Sequence, residues 1–295
     1  MNVLITGGSG FIGKRLINYL SNKNYKIMLI GRNLKFNQTD NVIRKKFDLN
    51  NFSLKDQEII DFNPDIFVHL AWEGIPDYSE ETSRKNYDNT MKIVNFLLSS
   101  TNCSKIISTG SCWEYNDCNI IGECSEEIIT DPKKPFSFYK SKIYKEVSSI
   151  ANQKNVLFNW LRLFYVYGPD QKKGSIIPLI INSIKNKEEI KINYPANIND
   201  YIHVDDVAWI LHQFIKKNIL SGIYNVGSGK GVEVKTILKL VNELINETEN
   251  QNYEYFNDID KNNRNQNFYA STKKINKYIK NIELKDISTG IKSLI

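Results

Sequence analysis

Three glycines close to the start of the chain have the spacing of a phosphate-binding turn. Gly7, Gly10 and Gly13 stand in the segment TGGSGFIG at 6–13, between an apolar stretch at 3–5 and a helically spaced stretch at 11–20. Glycines permit a tight turn and let backbone N–H groups approach a pyrophosphate, and the N-terminus of a helix adds a favourable dipole. The pattern predicts a dinucleotide-binding turn. The alternative is a tight strand–helix connection that holds no ligand.

The end of the next apolar stretch indicates which dinucleotide is bound. An Asp or Glu at this point would accept a hydrogen bond from the ribose 2′-hydroxyl of NAD. The sequence here is Ile30-Gly31-Arg32-Asn33, which offers no acid but places a guanidinium where it could pair with a 2′-phosphate. We therefore expect a preference for NADP(H), with NAD(H) as the second choice. An exposed loop cation is the alternative interpretation of Arg32.

The elements that must position these residues follow a regular order. In the first half of the chain, short apolar runs alternate with amphipathic stretches of helical spacing. The runs lie at 3–5, 25–30, 65–70, 105–108 and 155–163. This alternation is typical of a parallel sheet with helices on both faces, so we expect an α/β fold with a doubly wound parallel sheet. Beyond about residue 165 the order loosens, which predicts a second, smaller α/β domain.

Composition and charge exclude several classes of protein. The 295 residues are 41% hydrophobic and 24% charged, which is ordinary for a folded globular chain. The net charge of +6 comes without a long basic run, so we expect no nucleic-acid partner. No apolar run approaches 18 residues and the N-terminus does not resemble a signal peptide, so we expect a cytoplasmic protein without a membrane span. The four cysteines form no C-x-x-C pair, and we expect no metal site.

Six further segments have a recognisable sequence. They are FDL at 47–49, VHLA at 68–71, RKNYDNT at 84–90, RLFYVYGP at 162–169, DYIHVDDV at 200–207 and YNVGSG at 224–229. Together with the glycine turn, they resemble the extended short-chain dehydrogenase/reductase family, in its NAD(P)-dependent epimerase/dehydratase group. The resemblance extends over essentially the whole chain and implies a Rossmann sheet. It implies cofactor contacts from Gly7, Ser9, Gly10, Phe11, Ile12, Gly13, Arg32, Asp48, Leu49, Leu70, Ala71, Trp72, Asn86, Lys142, Phe164 and Val166.

The resemblance also predicts how the chain is divided. The dinucleotide-binding Rossmann domain is expected at 1–164 plus 201–228, and a nucleotide-sugar-binding domain at 165–200 plus 229–295. Members of the family often form dimers through two helices of each subunit. By that analogy, we expect a homodimer through the helical stretches 86–98 and 141–151.

Catalysis in the family uses a Ser or Thr, a Tyr and a Lys. The Tyr phenol is the acid or base at the reacting sugar oxygen, the Lys holds the nicotinamide ribose, and the hydroxyl orients the substrate. Ser111, four residues before Tyr115, matches the first position. The family spacing Tyr-x-x-x-Lys places Phe138 before Lys142, whereas Tyr139 is three residues away, a shift of about 100° around a helix. We expect Tyr139 and Lys142 to form the pair; the alternative is that the acid is lost.

The residues around Ser111 narrow the reaction. Dehydrating members place an Asp-Glu pair directly after the active-site hydroxyl, whereas Cys112 and Trp113 follow it here. Members that invert two further carbons carry a Cys at the position of Trp113, and a His that the segment 174–178 lacks. The resemblance therefore implies reduction of the C4 keto group of a 4-keto-6-deoxy sugar linked to dTDP, CDP or GDP. It implies substrate contacts from Trp72, Ser111, Cys112, Trp113, Tyr139, Tyr165 and Arg264.

Two other functions stay open at this point. One is an NAD-dependent C4 epimerase of nucleotide sugars, which would hold its cofactor tightly through the cycle. The other is a catalytically weak or silent member that binds the cofactor, since Phe138 displaces the expected Tyr register.

Overall fold

The computed structural model describes residues 1–34, 41–190, 192–246 and 265–295. The chain forms two compact units. The first comprises Met1–Cys118, Ile129–Leu163 and Val207–Tyr224, and the second comprises Asn119–Ile128, Phe164–Asp206 and Asn225–Ile295. The predicted domains assigned 119–128, 164, 201–206 and 225–228 to the first unit, whereas these residues pack in the second.

Strands and helices alternate along the first half of the chain. The strands of the described residues are β1 (Asn2–Thr6), β2 (Lys26–Gly31), β3 (Val42–Lys46), β4 (Ile66–His69), β5 (Lys105–Ser111), β6 (Gly122–Cys124), β7 (Leu157–Leu163), β8 (Tyr165–Tyr167), β9 (Ile198–His203), β10 (Gly222–Val226), β11 (Gly231–Glu233) and β12 (Phe268–Ala270). The helices are α1 (Phe11–Leu20), α2 (Gln57–Phe62), α3 (Glu80–Ser100), α4 (Trp113–Asn116), α5 (Pro135–Gln153), α6 (Ile176–Asn186), α7 (Val204–Lys216), α8 (Val234–Ile245), α9 (Ile275–Tyr278) and α10 (Ile287–Lys292).

A seven-stranded sheet in the order β10-β7-β5-β4-β1-β2-β3 organises the first unit. The pairs β1/β2, β1/β4, β2/β3, β4/β5 and β5/β7 are all parallel. Because the carboxyl ends of parallel strands meet at one edge of a sheet, the segments after β1, β2, β4 and β5 come together there. The α/β class and the parallel Rossmann sheet predicted from the sequence are confirmed.

Apolar strands and amphipathic helices supply the core of this unit. Residues 3–5 of β1 are fully buried, as expected for a central strand with covered faces. Helices α3 and α5 pack against each other, and their buried residues Ile93, Leu97, Ile143 and Val147 join one hydrophobic cluster with the sheet. Helix α5 thus has a buried face and a more exposed one, and this division decides which of its lysines lies inside.

The second unit contains two small sheets, β11-β9-β8 and β12-β6. Apolar residues of α6 and α8, among them Ile180 and Ile237, form its core with β9. The buried carboxylate of Asp200 accepts hydrogen bonds from the backbone N–H groups of Ser228, Gly229 and Ala270. These bonds join β9 to the Gly-rich segment after β10 and to β12. They give a structural role to Asp200, the first residue of DYIHVDDV, and to the glycine-rich end of YNVGSG.

Two expected absences, of a membrane span and of a metal site, can be compared with the ranges that the structure describes. In those ranges no helix has the length and apolar character needed to cross a bilayer. The same residues contain no group of three His, Cys, Asp or Glu side chains placed to hold a metal ion.

A buried lysine, Lys105 at the start of β5, ties the sheet to α7. Its Nζ donates hydrogen bonds to the carbonyl oxygens of Phe214, Ile215 and Lys217, at 3.3, 3.4 and 2.9 Å. Carbonyls at the C-terminal end of a helix lack partners within the helix and carry its negative dipole end. Burial lowers the pKa of Lys105, so these carbonyls compensate an ammonium that is costly to bury.

Replacing Lys105 by Ala should therefore destabilise the first unit. We expect the free energy of unfolding to fall by about 1–3 kcal/mol, because the helix end loses its donor and a buried space is left. Urea unfolding followed by circular dichroism measures this, with Lys26→Ala at an exposed strand start as the control. Equal stability of the two variants would contradict the assigned role of Lys105.

Candidate active site

A cavity of about 230 Å³ opens at the carboxyl edge of the parallel sheet. It is bordered by the glycine turn, the ends of β2 and β4, the segment after β3, and α3. The residues that line it are Thr6, Gly7, Ser9, Gly10, Ile30, Gly31, Arg32, Phe47, Asp48, Leu49, Asn50, Leu70, Ala71, Trp72, Glu73, Asn86 and Asn89. Ten of the sixteen predicted cofactor contacts are among them. Phe11, Ile12, Gly13 and Lys142 of the same unit are not, and Phe164 and Val166 belong to the second unit.

The glycine turn leaves the N-terminus of α1 accessible to this cavity. Gly7 has φ +73°, and a Cβ on it would lie 2.6 Å from the backbone nitrogen of Ala71. A Cβ on Gly13 would lie 2.2 Å from the carbonyl oxygen of Gly7. Gly10 is the N-cap of α1 and has no capping side chain, so backbone N–H groups of the first turn are left for a ligand. The turn therefore fits the pyrophosphate of a dinucleotide.

Arg32 meets an acid at the side of the cavity. Its Nη1 lies 2.7 Å from Glu73 Oε1, and Lys85 Nζ lies 3.3 Å from Glu73 Oε2. Asn50 also donates to Glu73, at 3.2 Å. Together these partners lower the pKa of Glu73, led by the hydrogen bond from Asn50, so the carboxylate is ionised at neutral pH. The end of β2 has no acid, as the sequence indicated, but a carboxylate from the segment after β4 stands beside Arg32.

Asn86 on α3 holds the segment after β4 in place. Its side-chain oxygen accepts from the backbone N–H of Glu73 at 2.7 Å, and its nitrogen donates to the carbonyl oxygen of Glu73 at 2.9 Å. A second donor bond reaches Thr82 in the same helix. Asn86, a predicted cofactor contact, therefore lines the cavity and also holds part of the cavity wall in place.

Ser111 lies at the carboxyl end of β5, where its surroundings fix it. Its backbone N–H donates to Glu114 Oε1 at 3.0 Å, and its hydroxyl oxygen accepts from the backbone N–H of Trp113 at 3.2 Å. Glu114 is fully buried and pairs with Arg162, whose Nε lies 2.9 Å from Glu114 Oε2. Cys112, a predicted substrate contact, is buried.

The described contacts of Tyr139 and Lys142 are with α3 and α5 and include none with Ser111, which differs from the predicted arrangement. Tyr139 contacts α3: its hydroxyl donates to Glu80 at 2.5 Å, and its ring lies 5.6 Å from that of Tyr87. Lys142 is partly exposed, with Nζ 4.5 Å from the Tyr87 ring and 3.9 Å from Glu146. Both side chains therefore stand on the α3 side of α5. The physical reason is helical phase. Tyr139 is buried on the side of α5 that meets α3 and Lys142 is partly exposed, whereas Lys140 lies on the side that meets the sheet.

The lysine on the sheet side is Lys140. It is 7% exposed, its Nζ donates to the carbonyl oxygen of Thr109 at 2.8 Å, and the Trp72 ring centroid lies 4.1 Å away. Burial lowers the pKa of Lys140 to about 7, although the charge of Glu114 opposes this shift. Four residues earlier on the same face is Phe136. The Tyr-x-x-x-Lys spacing thus falls on Phe136 and Lys140, and its first position carries no hydroxyl.

Four aromatic rings surround this part of the site. Phe136 is in edge contact with Trp72 at 5.2 Å and with Tyr78 at 5.0 Å between ring centroids. Tyr78 also lies 5.6 Å from Trp113. The indole N–H of Trp72 is buried and has no partner among the residues the structure describes. We call Trp72, Tyr78, Trp113 and Phe136 the aromatic cluster; it gives the region beside Ser111 and Lys140 an apolar wall.

Three of the remaining predicted contacts belong to the second unit, and one lies outside the described residues. Phe164, Tyr165 and Val166 belong to the second unit, where Phe164 packs on Phe268 and the Tyr165 hydroxyl donates to Gln266 at 2.9 Å. Arg264, the predicted diphosphate contact, lies outside the described residues.

Comparison with known proteins identifies the family. The sequence profile of the NAD dependent epimerase/dehydratase family matches residues 3–227, which is most of the chain. The chain belongs to this family. The predicted resemblance is therefore confirmed, and the glycine turn and cavity are those of a family that depends on NAD.

Two curated relatives and one solved structure illustrate the similarity. The chain is 25% identical over 249 residues to dTDP-6-deoxy-L-talose 4-dehydrogenase (NAD(+)) of Aggregatibacter actinomycetemcomitans, covering 81% of this chain and 88% of that protein. It is 26% identical over 210 residues to CDP-abequose synthase of Yersinia pseudotuberculosis, covering 70% of each. The structure of dTDP-glucose 4,6-dehydratase from Bacillus anthracis with NAD superposes with a TM-score of 0.83 at 19% identity, covering 99% and 94%. At that identity the superposition shows the shared fold.

Lys140, Phe136 and Tyr78 are among the site residues that the sequence did not predict, as are Glu73 and Asn50 in the lining of the cavity. A signal for the first two was present, because Phe136, Ile143, Val147 and Ala151 repeat at helical spacing and place Lys140 on their stripe. Tyr78 has no such signal, since it stands in an irregular segment whose path depends on the fold.

The two lysines should differ in their effect on cofactor binding. We expect Lys140→Met to weaken NADPH and NADH binding about 10-fold or more, because an ammonium is lost beside Trp72, which lines the cavity. Lys142→Met is the matched control and should change the dissociation constants less than twofold. Since Lys140 loses its proton as pH rises through about 7, wild-type affinity should fall across that range. Quenching of tryptophan fluorescence measures the dissociation constants.

The opposite result for the two lysine variants would contradict the assignment of Lys140 to cofactor binding. If Lys142→Met loses affinity and Lys140→Met does not, α5 binds the cofactor with the face that the sequence first indicated. A pH step that persists in Lys140→Met would likewise assign the step to another group.

Proposed function

We propose that the protein is an NADP(H)-dependent reductase of the C4 keto group of a nucleotide-linked 4-keto-6-deoxy sugar. The observation that carries this proposal is the state of Glu114. This acid, three residues after Ser111, is fully buried and bonded to Arg162, Trp160 and the Ser111 backbone. It is therefore not free to serve as the acid or base that elimination of water would require. Reduction needs no such acid–base pair on neighbouring carbons.

The aromatic cluster supports the same choice of substrate. Its rings from Trp72, Trp113 and Phe136 stand beside Ser111 and Lys140. An apolar wall of this kind suits the methyl group of a 6-deoxy sugar better than a hydroxymethyl group. The relatives named above point to dTDP or CDP as the nucleotide, and GDP stays in the proposal from the sequence resemblance.

The residues divide the work between binding and orientation. The glycine turn would hold the pyrophosphate, and Lys140 would bind a ribose hydroxyl from the sheet side. The Ser111 hydroxyl would donate to the keto oxygen and so polarise the carbonyl. When bound, a reduced nicotinamide supplies the hydride for this chemistry.

Turnover with defined sugars tests the proposal. We expect the purified protein to oxidise NADPH, followed by the loss of its absorbance, when a dTDP-, CDP- or GDP-linked 4-keto-6-deoxyhexose is added. One equivalent of reduced sugar should form for each NADPH consumed. No oxidation with any of the three would refute the reductase. Tightly bound NAD that survives purification, together with inversion at C4, would instead favour the epimerase.

The preference for NADP(H) depends on a competition for Arg32. A 2′-phosphate would replace Glu73 as its partner, so Glu73 opposes the binding of NADPH. We expect Glu73→Gln to tighten NADPH binding about 10-fold and to leave NADH binding within about threefold. Arg32→Ala should weaken NADPH binding by a similar factor. Calorimetric titration of each variant with both dinucleotides gives these values, and a wild type that prefers NADH and ignores Arg32→Ala would contradict the preference.

A homodimer through α3 and α5 also remains a prediction from family analogy, as does a cytoplasmic location. The contacts of Tyr139 and Lys142 place their side chains toward α3, so they occupy the pair of helices that the predicted dimer would use.

A further inference from the structure

The position at which the family pattern expects the proton donor for a carbonyl reduction carries no acidic side chain. Reduction of the sugar ketone adds a hydride to C4 and one proton to the oxygen. The position four residues before Lys140 is filled by Phe136, which has no proton to give. If the proposed reductase function holds, on which this inference rests, another group must supply the proton.

Of three titratable groups at this site, Lys140, Glu114 and Tyr78, two are engaged by the described residues and one is not. The Lys140 ammonium donates to the Thr109 carbonyl and is covered by the Trp72 ring. Glu114 is buried in its ion pair with Arg162. Ser111 can orient the carbonyl, but an aliphatic hydroxyl is a much weaker acid than a phenol. Tyr78 is the exception: its hydroxyl has no hydrogen-bond partner among the described residues, and its side chain is 37% exposed.

The position of Tyr78 matches the missing group. Its ring is in edge contact with Phe136, at 5.0 Å between centroids, so the phenol stands over the side chain that replaced the expected one. Its other neighbour, Trp113, follows Ser111 by two residues and bonds to its hydroxyl. Tyr78 therefore contacts Phe136 and also Trp113, the residue whose backbone N–H bonds to the Ser111 hydroxyl.

The segment that carries Tyr78 is anchored at both sides of it. The backbone N–H of Asp77 donates to the carbonyl of Gly74 at 2.7 Å, and the Asp77 carboxylate accepts from Thr82 Oγ1 and from the backbone N–H of Ser79. Ser79 is the N-cap of α3, with its hydroxyl accepting from Thr82. These bonds hold the segment to the first turn of a long helix, so the phenol has a defined place despite its irregular backbone.

We propose that Tyr78 is the proton donor of this enzyme. The carbonyl carbon gains two electrons and a hydrogen as the hydride, the C=O π bond breaks, and the oxygen takes the phenolic proton of Tyr78. The resulting phenolate is reprotonated from water, which its partial exposure allows. Burial raises the pKa of Tyr78, so the phenol is protonated before each turnover at neutral pH.

Four variants test the proposal with a 4-keto-6-deoxyhexose on dTDP, CDP or GDP. Tyr78→Phe keeps the ring and should lower kcat at least about 100-fold while the NADPH dissociation constant stays within threefold. Tyr139→Phe is the comparison, since it removes a phenol that bonds to Glu80, and kcat should change less than threefold. Phe136→Tyr restores a hydroxyl at the usual position, and the double variant Tyr78→Phe/Phe136→Tyr should recover at least a tenth of the lost rate.

The outcomes distinguish a failure of the proposed proton donor from a failure of the proposed reductase function. A wild type that turns over and a Tyr78→Phe variant within threefold of it would overturn the donor while leaving the reductase intact. A silent wild type made active by Phe136→Tyr would overturn it too, because Tyr78 would then not replace the missing phenol. No turnover by the wild type or by any of the variants would refute the reductase itself.

A measurement without turnover locates the phenol. Tetranitromethane should nitrate Tyr78 in the free protein, and the product of the reaction, the 6-deoxyhexose on its nucleotide, should slow this at least about fivefold. Tyr19, on α1 beside His212, is the internal reference and should react at the same rate with and without the sugar. Mass spectrometry of the peptides gives both rates, and an unprotected Tyr78 would place it outside the sugar site and overturn the proposal.

Discussion

The buried ion pair between Glu114 and Arg162 is the interaction on which the active-site edge depends. Arg162 comes from β7, and Glu114 from α4, directly after β5; the carboxylate also accepts from Trp160 at 3.1 Å and from the Ser111 backbone. A buried carboxylate that loses a partner costs several kcal/mol, so these bonds are made together. Gly110 makes room for them, since a Cβ there would lie 2.3 Å from the Trp160 indole nitrogen. The pair thereby fixes where Ser111 stands and what surrounds Lys140.

Much of this arrangement could be predicted from local sequence. The alternation of strands and helices determines the parallel sheet, and the glycine spacing determines the turn at the end of β1, because both follow from short-range geometry. Ser111 is predicted through the family resemblance, by its distance from Tyr115. By contrast, the partner of Arg32 could not be found this way, because Glu73 is 41 residues away and reaches it only through the fold.

The lysine of the site shows where a motif and a helix can disagree. Matching Ser141 and Lys142 to the family pattern favoured Lys142, whereas burial favours Lys140, since the face of α5 that meets the sheet also carries Ile143 and Val147. Positions two residues apart on a helix are rotated by about 200°, so Lys140 and Lys142 point to different sides of α5. Packing decides between them, and it places an aromatic ring without a hydroxyl at the usual position of the acid.

The hydrogen bonds of Lys105 affect the order in which parts of the chain can fold during synthesis. Its ammonium sits in β5 but is satisfied by carbonyls of α7 that lie 109 to 112 residues later in the chain. During synthesis the ribosome releases β5 long before α7 exists, and the lysine must stay hydrated until the later helix arrives. Contacts so distant in sequence are slow to form. The central strands can therefore pair early. The contacts between β5 and the end of α7 can form only after more than two thirds of the chain has emerged.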